Sequence, residues 1–419
     1  MIEPLTPNTQ AILLLTAPLI AGQRDHSRDL LSLGDYNRVA RVLREKQLQP
    51  ADLIGGDAKE MAQLLAPIFG RERIEALLAR GFLLSQAVER WAARAIWVVS
   101  RADASYPRRL KSRLREDAPP ILYGCGDSAL LEKGGLAVVG SRHVDEALTA
   151  YTEELGRIVA GAKRTLISGA AKGIDKAAMH GALRAGGNVI GVMADSLERA
   201  ALARDNREPL MEQRLVFISA YDPAAGFNVG HAMQRNKVIY ALADAALVVT
   251  SDFQKGGTWT GAIEQLEGLH FVPVFVRNGA TGGRGNAALL QRGAHEWPEP
   301  QTSSELEKAL SRASDQMAVE PKQDKLSFTV REEAPVEVNR PATIKDEEVL
   351  TPAETLFQTV ERILTCKLAE PHSENQVVKI LGVSKAQAKK WLQQLVERGT
   401  IEKLKKPVRY RAVGTAKLL

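Results

Sequence analysis

The chain has 419 residues, of which 45% are hydrophobic and 25% charged, with a formal net charge of +6. That length suits about two to four domains, and the apolar share excludes a disordered tail protein. The two cysteines, Cys125 and Cys366, lie far apart, which excludes a disulfide framework and a cysteine metal cluster and fits a reducing cytoplasm.

Residues 1–95 are expected to be helical. "AILLLTAPLIAG" is apolar for only a dozen positions and is interrupted by Pro18, so it is expected to be a buried helix rather than a membrane span or a leader. Apolar positions recur at three-to-four spacing in "DYNRVARVLREKQL", "KEMAQLLAPIFG" and "RERIEALLARGF". The segment carries no catalytic cluster and is expected to be a helical packing or interaction domain.

Residues 96–298 alternate strands with helices. "AIWVVS", "LAVVG", "TLIS", "NVIGVMA", "RLVFISAY", "ALVVTS" and "FVPVFVR" are continuously apolar, as parallel strands covered on both faces should be. "DEALTAYTEELGRIVAGA" and "HAMQRNKVIYALADA" are the intervening helices. The expected fold class is α/β, a Rossmann-like doubly wound, mostly parallel sheet. Residues 299–350 are rich in Pro, Glu and Lys and are expected to be a flexible linker.

Residues 351–419 are expected to fold as a winged helix-turn-helix: helix, turn at Gly382, second helix, then two strands around Lys405–Pro407. Eleven Lys/Arg face three Glu over 371–419, a local +8, which leaves the remaining chain near −2. A basic domain on a near-neutral body points to a polyanion, most simply nucleic acid, or else to a solvated lysine-rich surface. Lys385, Lys389 and Lys390 on "SKAQAKKWLQQLVERG" are its candidate duplex contacts, and such domains also serve as protein-binding modules.

Ligands of a doubly wound sheet bind at the carboxyl ends of its strands, where turns expose N–H groups and helix N-termini add positive charge. Small or basic residues fill four such turns: Gly140, Ser141 and Arg142; Ser168, Gly169, Lys172, Gly173 and Asp175; Asp195 and Ser196; and Lys255, Gly256, Gly257, Thr258 and Thr260. Arg235, Asn236 and Lys237 open an apolar helix, and at least one of them is expected to reach the same edge. Together they form a candidate phosphate-binding rim; the competing reading is a set of tight turns and a solvated helix start. The sequence contains no GxxxxGK[ST] and no GxGxxG after a strand, which argues against an ATPase and a nicotinamide dehydrogenase. It also lacks GxSxG, HExxH and CxxC, so no catalytic residue or metal ligand is expected. Asp175 suits a dipole partner or an orienting residue, while Asp244 and Glu264 have acid–base capacity with no reaction to identify them.

"LAVVGSRHV", "LISGAAKGIDKAAMHGALRAGGNVIGV", "MQRNKVIYALADAALVV" and "KGGTWTGA", in that order, resemble the DprA (Smf) DNA-processing proteins, as does the lead-in "VVSRADASYPRRLKSRLREDAPPILYGCGD". The resemblance implies a homodimeric cytoplasmic protein that needs no cofactor and is not an enzyme. It would bind and protect single-stranded DNA during transformation and load a RecA-type recombinase. It places DNA contacts on Arg142, Lys172, Arg235 and Asn236. Met179 stands where the family usually has His, Lys237 replaces an Arg, and "MADSLERAALARDNREPLM" replaces a Tyr-Pro segment. These departures suit a divergent branch, including relatives that act as antitoxins beside a phosphoribosyltransferase-type toxin in phage defence. Gly256-Gly257-Thr258 and Glu264 loosely echo the LOG nucleotide hydrolases, which keeps open a sensor or hydrolase for a small nucleotide.

Overall fold

The computed structural model describes residues 4–20, 29–55, 58–278, 283–319, 364, 371–381, 391–396, 398, 400–405 and 408–412. Contacts divide the chain into two compact units, Met1–Asp324 and Lys325–Leu419.

The first unit opens with helices α1 (Pro7–Thr16), α2 (Leu33–Glu45), α3 (Ala58–Phe69), α4 (Arg71–Leu78) and α5 (Gly81–Ala92). Strands β1 (Ile96–Ser100) and β2 (Ile121–Gly126) flank α6 (Arg108–Leu114). Then follow β3 (Leu136–Val139), α7 (Glu146–Gly161), β4 (Leu166–Ser168), α8 (Ile174–Arg184), β5 (Val189–Met193), α9 (Leu197–Leu202), α10 (Arg204–Met211) and β6 (Leu215–Ser219). The unit closes with α11 (Val229–Leu242), β7 (Ala245–Val248), α12 (Gly256–Glu264), β8 (Val274–Val276), α13 (Gly283–Leu290), β9 (His295–Glu296) and α14 (Ser303–Val319).

The strands form one sheet in the order β1-β2-β6-β5-β4-β3-β7-β8-β9. β6 through β9 run parallel, while β1 and β2 pair antiparallel at one edge. The continuous apolar strands follow from two-sided burial. Leu136 and Val138 of β3 enter a core shared with α7 and α8, whereas Ala137 and Val139 enter one shared with α6, α11, α12 and α13. β2 lies in "PPILYGCGD", a segment the sequence marks only by its family resemblance, and with β1 it forms the antiparallel edge of the mostly parallel sheet expected.

Two of the expected boundaries change. The helical front end is not a separate body. α1 is apolar all round; its Leu15 joins the helical cluster of α2, α3 and α4, and its Ile12, Leu13 and Leu14 join the core under the sheet. Arg80 holds this arrangement by donating to the carbonyls of Leu13, Leu14 and Ala17 at the end of α1, where the last carbonyls of a helix run short of intrahelical donors. The expected linker beginning at residue 299 instead contains α14, whose Leu306 and Leu310 are buried in the same core. Two leucines spaced one helical turn apart outweigh the polar composition around them. Residues 320–350 of that expected linker lie outside the described residues. Among the described residues, no helix is long and apolar enough to cross a membrane.

In the second unit, α15 (Glu374–Leu381), a helical stretch at 391–396 and the antiparallel strands β10 (Ile401–Lys405) and β11 (Val408–Ala412) surround Leu364, Val377, Leu392, Leu395, Ile401 and Tyr410. Lys385, Lys389 and Lys390 lie outside the described residues.

The contact between α7 and α8 is backbone on backbone. A Cβ on Gly181 would strike the carbonyl oxygen of Glu153 and stand 2.7 Å from its Cα, and one on Gly156 would strike the carbonyl of Ala178. Gly181→Val therefore lowers the unfolding free energy by about 1–3 kcal/mol, read as a lower urea midpoint with an unchanged slope.

Candidate nucleic-acid interface

β3 is the point where the strand order reverses. The chain winds from β3 through β4, β5 and β6 to one side, then crosses by α11 to β7 on the other. The carboxyl ends of β3 and β7 therefore open the crevice at which such sheets bind ligands. A cleft of about 360 Å³ lies there, lined by Gly140–His143, Ala171, Asp175, Arg235, Asn236, Ser251, Asp252 and Lys255–Thr258.

Three short interactions shape this cleft. Thr258 Oγ1 donates to the Gly140 carbonyl at 2.9 Å, tying α12 to the end of β3. Asn236 Nδ2 donates to the Gly257 carbonyl at 2.9 Å, tying α11 to the same turn. The Ile174 amide donates to the Ser141 carbonyl at 3.2 Å, closing α8 onto the β3 loop. The first turn of α8 is thus partly satisfied by protein. α12 differs, because its N-cap Lys255 supplies no side-chain acceptor and its first residues line the cleft.

The glycines of "SGAAKG" serve a purpose different from the bare phosphate cradle that their spacing suggests. A Cβ on Gly169 would fall on Arg235 Nη1, and one on Gly173 would lie 2.8 Å from the Arg142 Cα. Gly173 also has φ +83°, a conformation that favours glycine. The notch therefore admits a guanidinium and a neighbouring loop. Ala170, Ser196 and Gln254, each in a turn after a strand of this edge, occupy the left-handed region with φ of 53°, 55° and 56°.

Arg235 is the central side chain. It is 8% exposed, its Nη1 stands 3.6 Å from Asp175 Oδ2, and neither Nε nor Nη1 has a hydrogen-bond acceptor. Burial lowers its pKa, although Asp175 opposes the shift. Burial also raises the Asp175 pKa, against Arg235 and the amides of Ala171, Gly169 and Gly140. Both ions thus remain short of the compensation that water would give them. Arg142 and Lys255 are exposed on the rim, and the Arg142 guanidinium stands 5.5 Å from the Phe227 ring centroid.

The other expected rim residues divide. Lys172 is exposed on the turn beside Ala171, just outside the lining. Ser168 is buried and donates to the Val138 carbonyl at 2.7 Å, so it fastens β4 to β3. Lys237 is not at the cleft. A helix turns about 100° per residue, so its neighbours face the cleft while it reaches Glu264 at 3.1 Å and Asp117 at 3.9 Å. That pairing also keeps Glu264, the echoed hydrolase carboxylate, outside the cleft lining. Asp244 lies by the amino end of β7, bound to Arg109 at 2.7 Å and to the Gly135 amide. Sequence reasoning missed Phe227, which is 59% exposed on the cleft wall. Its only signal is an aromatic residue in the small, polar loop "AAGFNVG". Among the described residues, no group of three His, Cys, Asp or Glu could hold a metal ion.

The family of DNA recombination-mediator protein A matches residues 97–307, half of the chain, and that span contains the whole cleft. The chain belongs to this family. The DNA processing protein DprA of Bacillus subtilis is 28% identical over 194 residues, covering 45% of this chain and 64% of that protein. Protein Smf of Escherichia coli is 31% identical over 207 residues, covering 47% and 52%. The chain thus spans less than two thirds of the length of these DprA/Smf relatives. The X-ray structure of DprA from Streptococcus pneumoniae superposes with a TM-score of 0.54 at 20% identity, covering 73% of this chain and 98% of that one, which places the two in one fold.

Gly169→Ala displaces Arg235 and costs about 1–3 kcal/mol of stability. Gly257→Ala, whose nearest neighbours would be Asn236 Nδ2 at 3.6 Å and Met233 Sδ at 3.8 Å, melts close to the wild type. Paired thermal denaturation curves check the contrast.

Proposed function

We propose that the chain binds the backbone of single-stranded DNA in the switch-point cleft and acts as a DNA-processing mediator of recombination, including uptake and transformation. The observation that carries this reading is Arg235, a nine-tenths-buried guanidinium with two nitrogens lacking acceptors at the floor of a cleft rimmed by Arg142 and Lys255. A phosphate oxygen supplies the missing acceptors, and the open first turn of α12 adds favourable partial charge. Arg142, Lys172 and Lys255 steer the strand, Arg235 and Asn236 form the floor, and Phe227 offers an aromatic face to a base.

Membership in the recombination-mediator family supports a partnership with a RecA-type recombinase. In this reading the protein is a cytoplasmic homodimer that protects the strand and transfers it, with no bond broken and no cofactor required. The second unit is read as a winged helix, with Lys385, Lys389 and Lys390 as candidate duplex contacts, or as a protein-binding module.

Salt dependence tests the backbone reading. The logarithm of affinity for a short single strand falls linearly with the logarithm of salt, at roughly −0.7 per phosphate neutralised. Arg142→Ala weakens binding about tenfold and flattens that slope by about 0.7, measured by fluorescence anisotropy. Affinity that ignores both salt and this substitution rules the reading out.

A second outcome concerns pH. Asp175 lies beside the cation that the strand uses, and its folded pKa is raised above the unfolded value. The fold thus binds this proton more tightly than the unfolded chain does, and stability attached to the protonated form is lost as pH rises through the raised value. Protonation also frees Arg235 for the phosphate, so strand affinity rises as pH falls through that value. Asp175→Asn binds more tightly at neutral pH and loses this component of the pH dependence, measured by the same titrations across pH.

A further inference from the structure

We propose that a second cavity, on the far side of Arg235, holds a nucleobase. This cavity of about 360 Å³ opens beyond the carboxyl ends of β5 and β6, between α11, α6 and the Pro119–Pro120 segment. Its walls are largely apolar: Leu114, Pro119, Pro120, Val192, Met193 and Val238. Tyr221 adds an aromatic wall, one face of which is already covered by His231, with ring centroids 3.6 Å apart and planes 11° from parallel. A few polar groups break this lining: Gln234, Arg235, and Lys237 with its partner Asp117. A volume of this size with apolar walls and few convergent polar groups is the ordinary make-up of a small-molecule site.

The pattern fits a planar heterocycle with acceptors on its edge. Flat apolar and aromatic walls accept its faces. Arg235 borders both cavities and is nine-tenths buried, with Nε and Nη1 lacking acceptors. Gln234 is exposed at the surface and offers an amide, which both donates and accepts. A bare phosphate suits this cavity poorly, because most of its wall would leave an anion unsolvated. A base joined to a phosphate in the neighbouring cleft places each chemical group in the surroundings that suit it.

The base has two sources, the bound strand or a free nucleotide, and the test separates them using the full chain. One arm compares a short thymidine strand carrying 2-aminopurine with a strand of the same length made of abasic sites. The other titrates 2-aminopurine nucleoside monophosphate alone. Ala220→Phe fills the cavity from its wall, and Gln234→Phe fills it from an exposed position where folding is not at risk. If the base comes from the strand, the wild type prefers the base-bearing strand about tenfold, within the range that base stacking supplies. Both variants then erase that preference while binding the abasic strand unchanged. If the source is a free nucleotide, the strands bind alike and both variants lose the monophosphate. Indifference of every ligand to both variants overturns the proposal. If no strand binds the wild type, the strand-binding reading fails by itself, and the monophosphate arm still decides this one.

Discussion

The buried pair of Arg235 and Asp175 is the constraint around which the ligand edge is arranged. A guanidinium at 8% exposure, 3.6 Å from its carboxylate, is a weakly compensated arrangement. Removing two charges from water costs several kcal/mol per ion, and their attraction offsets this only with good geometry and further hydrogen bonds. Here Asp175 accepts from backbone amides, while Arg235 Nε and Nη1 have no hydrogen-bond acceptor. The fold therefore holds a cation in readiness at a place where stability alone would favour an apolar side chain.

Several features of the sequence exist to permit that placement. Gly169 leaves the space the guanidinium fills, and Gly173 lets the Ser141–Arg142 loop close over the start of α8. Asn236 and Thr258 pin the α12 turn so that its first residues border the cleft. These are contacts of protein with protein. They preorganise the site, so that ordering the loops need not be drawn from the free energy of binding.

Much of this was legible in the sequence, and the limits have physical causes. The β-α alternation and the doubly wound sheet follow from continuous apolar runs, because parallel strands are covered on both faces. The Gly-Ser-Arg turn, Asp175, Arg235, Asn236 and the Lys255–Thr258 turn do converge on one cleft. Lys237 does not, because adjacent helical residues face different ways and adjacency in sequence says nothing about which face a cation occupies. Ser168 looked like a ligand residue by its place at a strand end, yet its hydroxyl is spent on the neighbouring strand. The independence of residues 1–95 failed for a similar reason. The pattern shows that α1 is apolar, but not that its two faces belong to two cores. α14 was hidden because Leu306 and Leu310 are few among many polar neighbours, and burial acts on the face rather than on the average.

The pair also governs how the two cavities must behave toward each other. Arg235 borders both, and it has a single charge to offer. An anion drawn into the switch-point cleft lowers the local positive potential and so favours the protonated form of Asp175, whose pKa burial has already raised. Whatever occupies the second cavity excludes water from the other side of the same guanidinium, which strengthens its attraction for the phosphate. Occupancy on each side therefore changes the free energy of occupancy on the other, and linkage makes that change reciprocal. A buried, incompletely paired arginine can carry this coupling because its guanidinium is largely shielded from solvent.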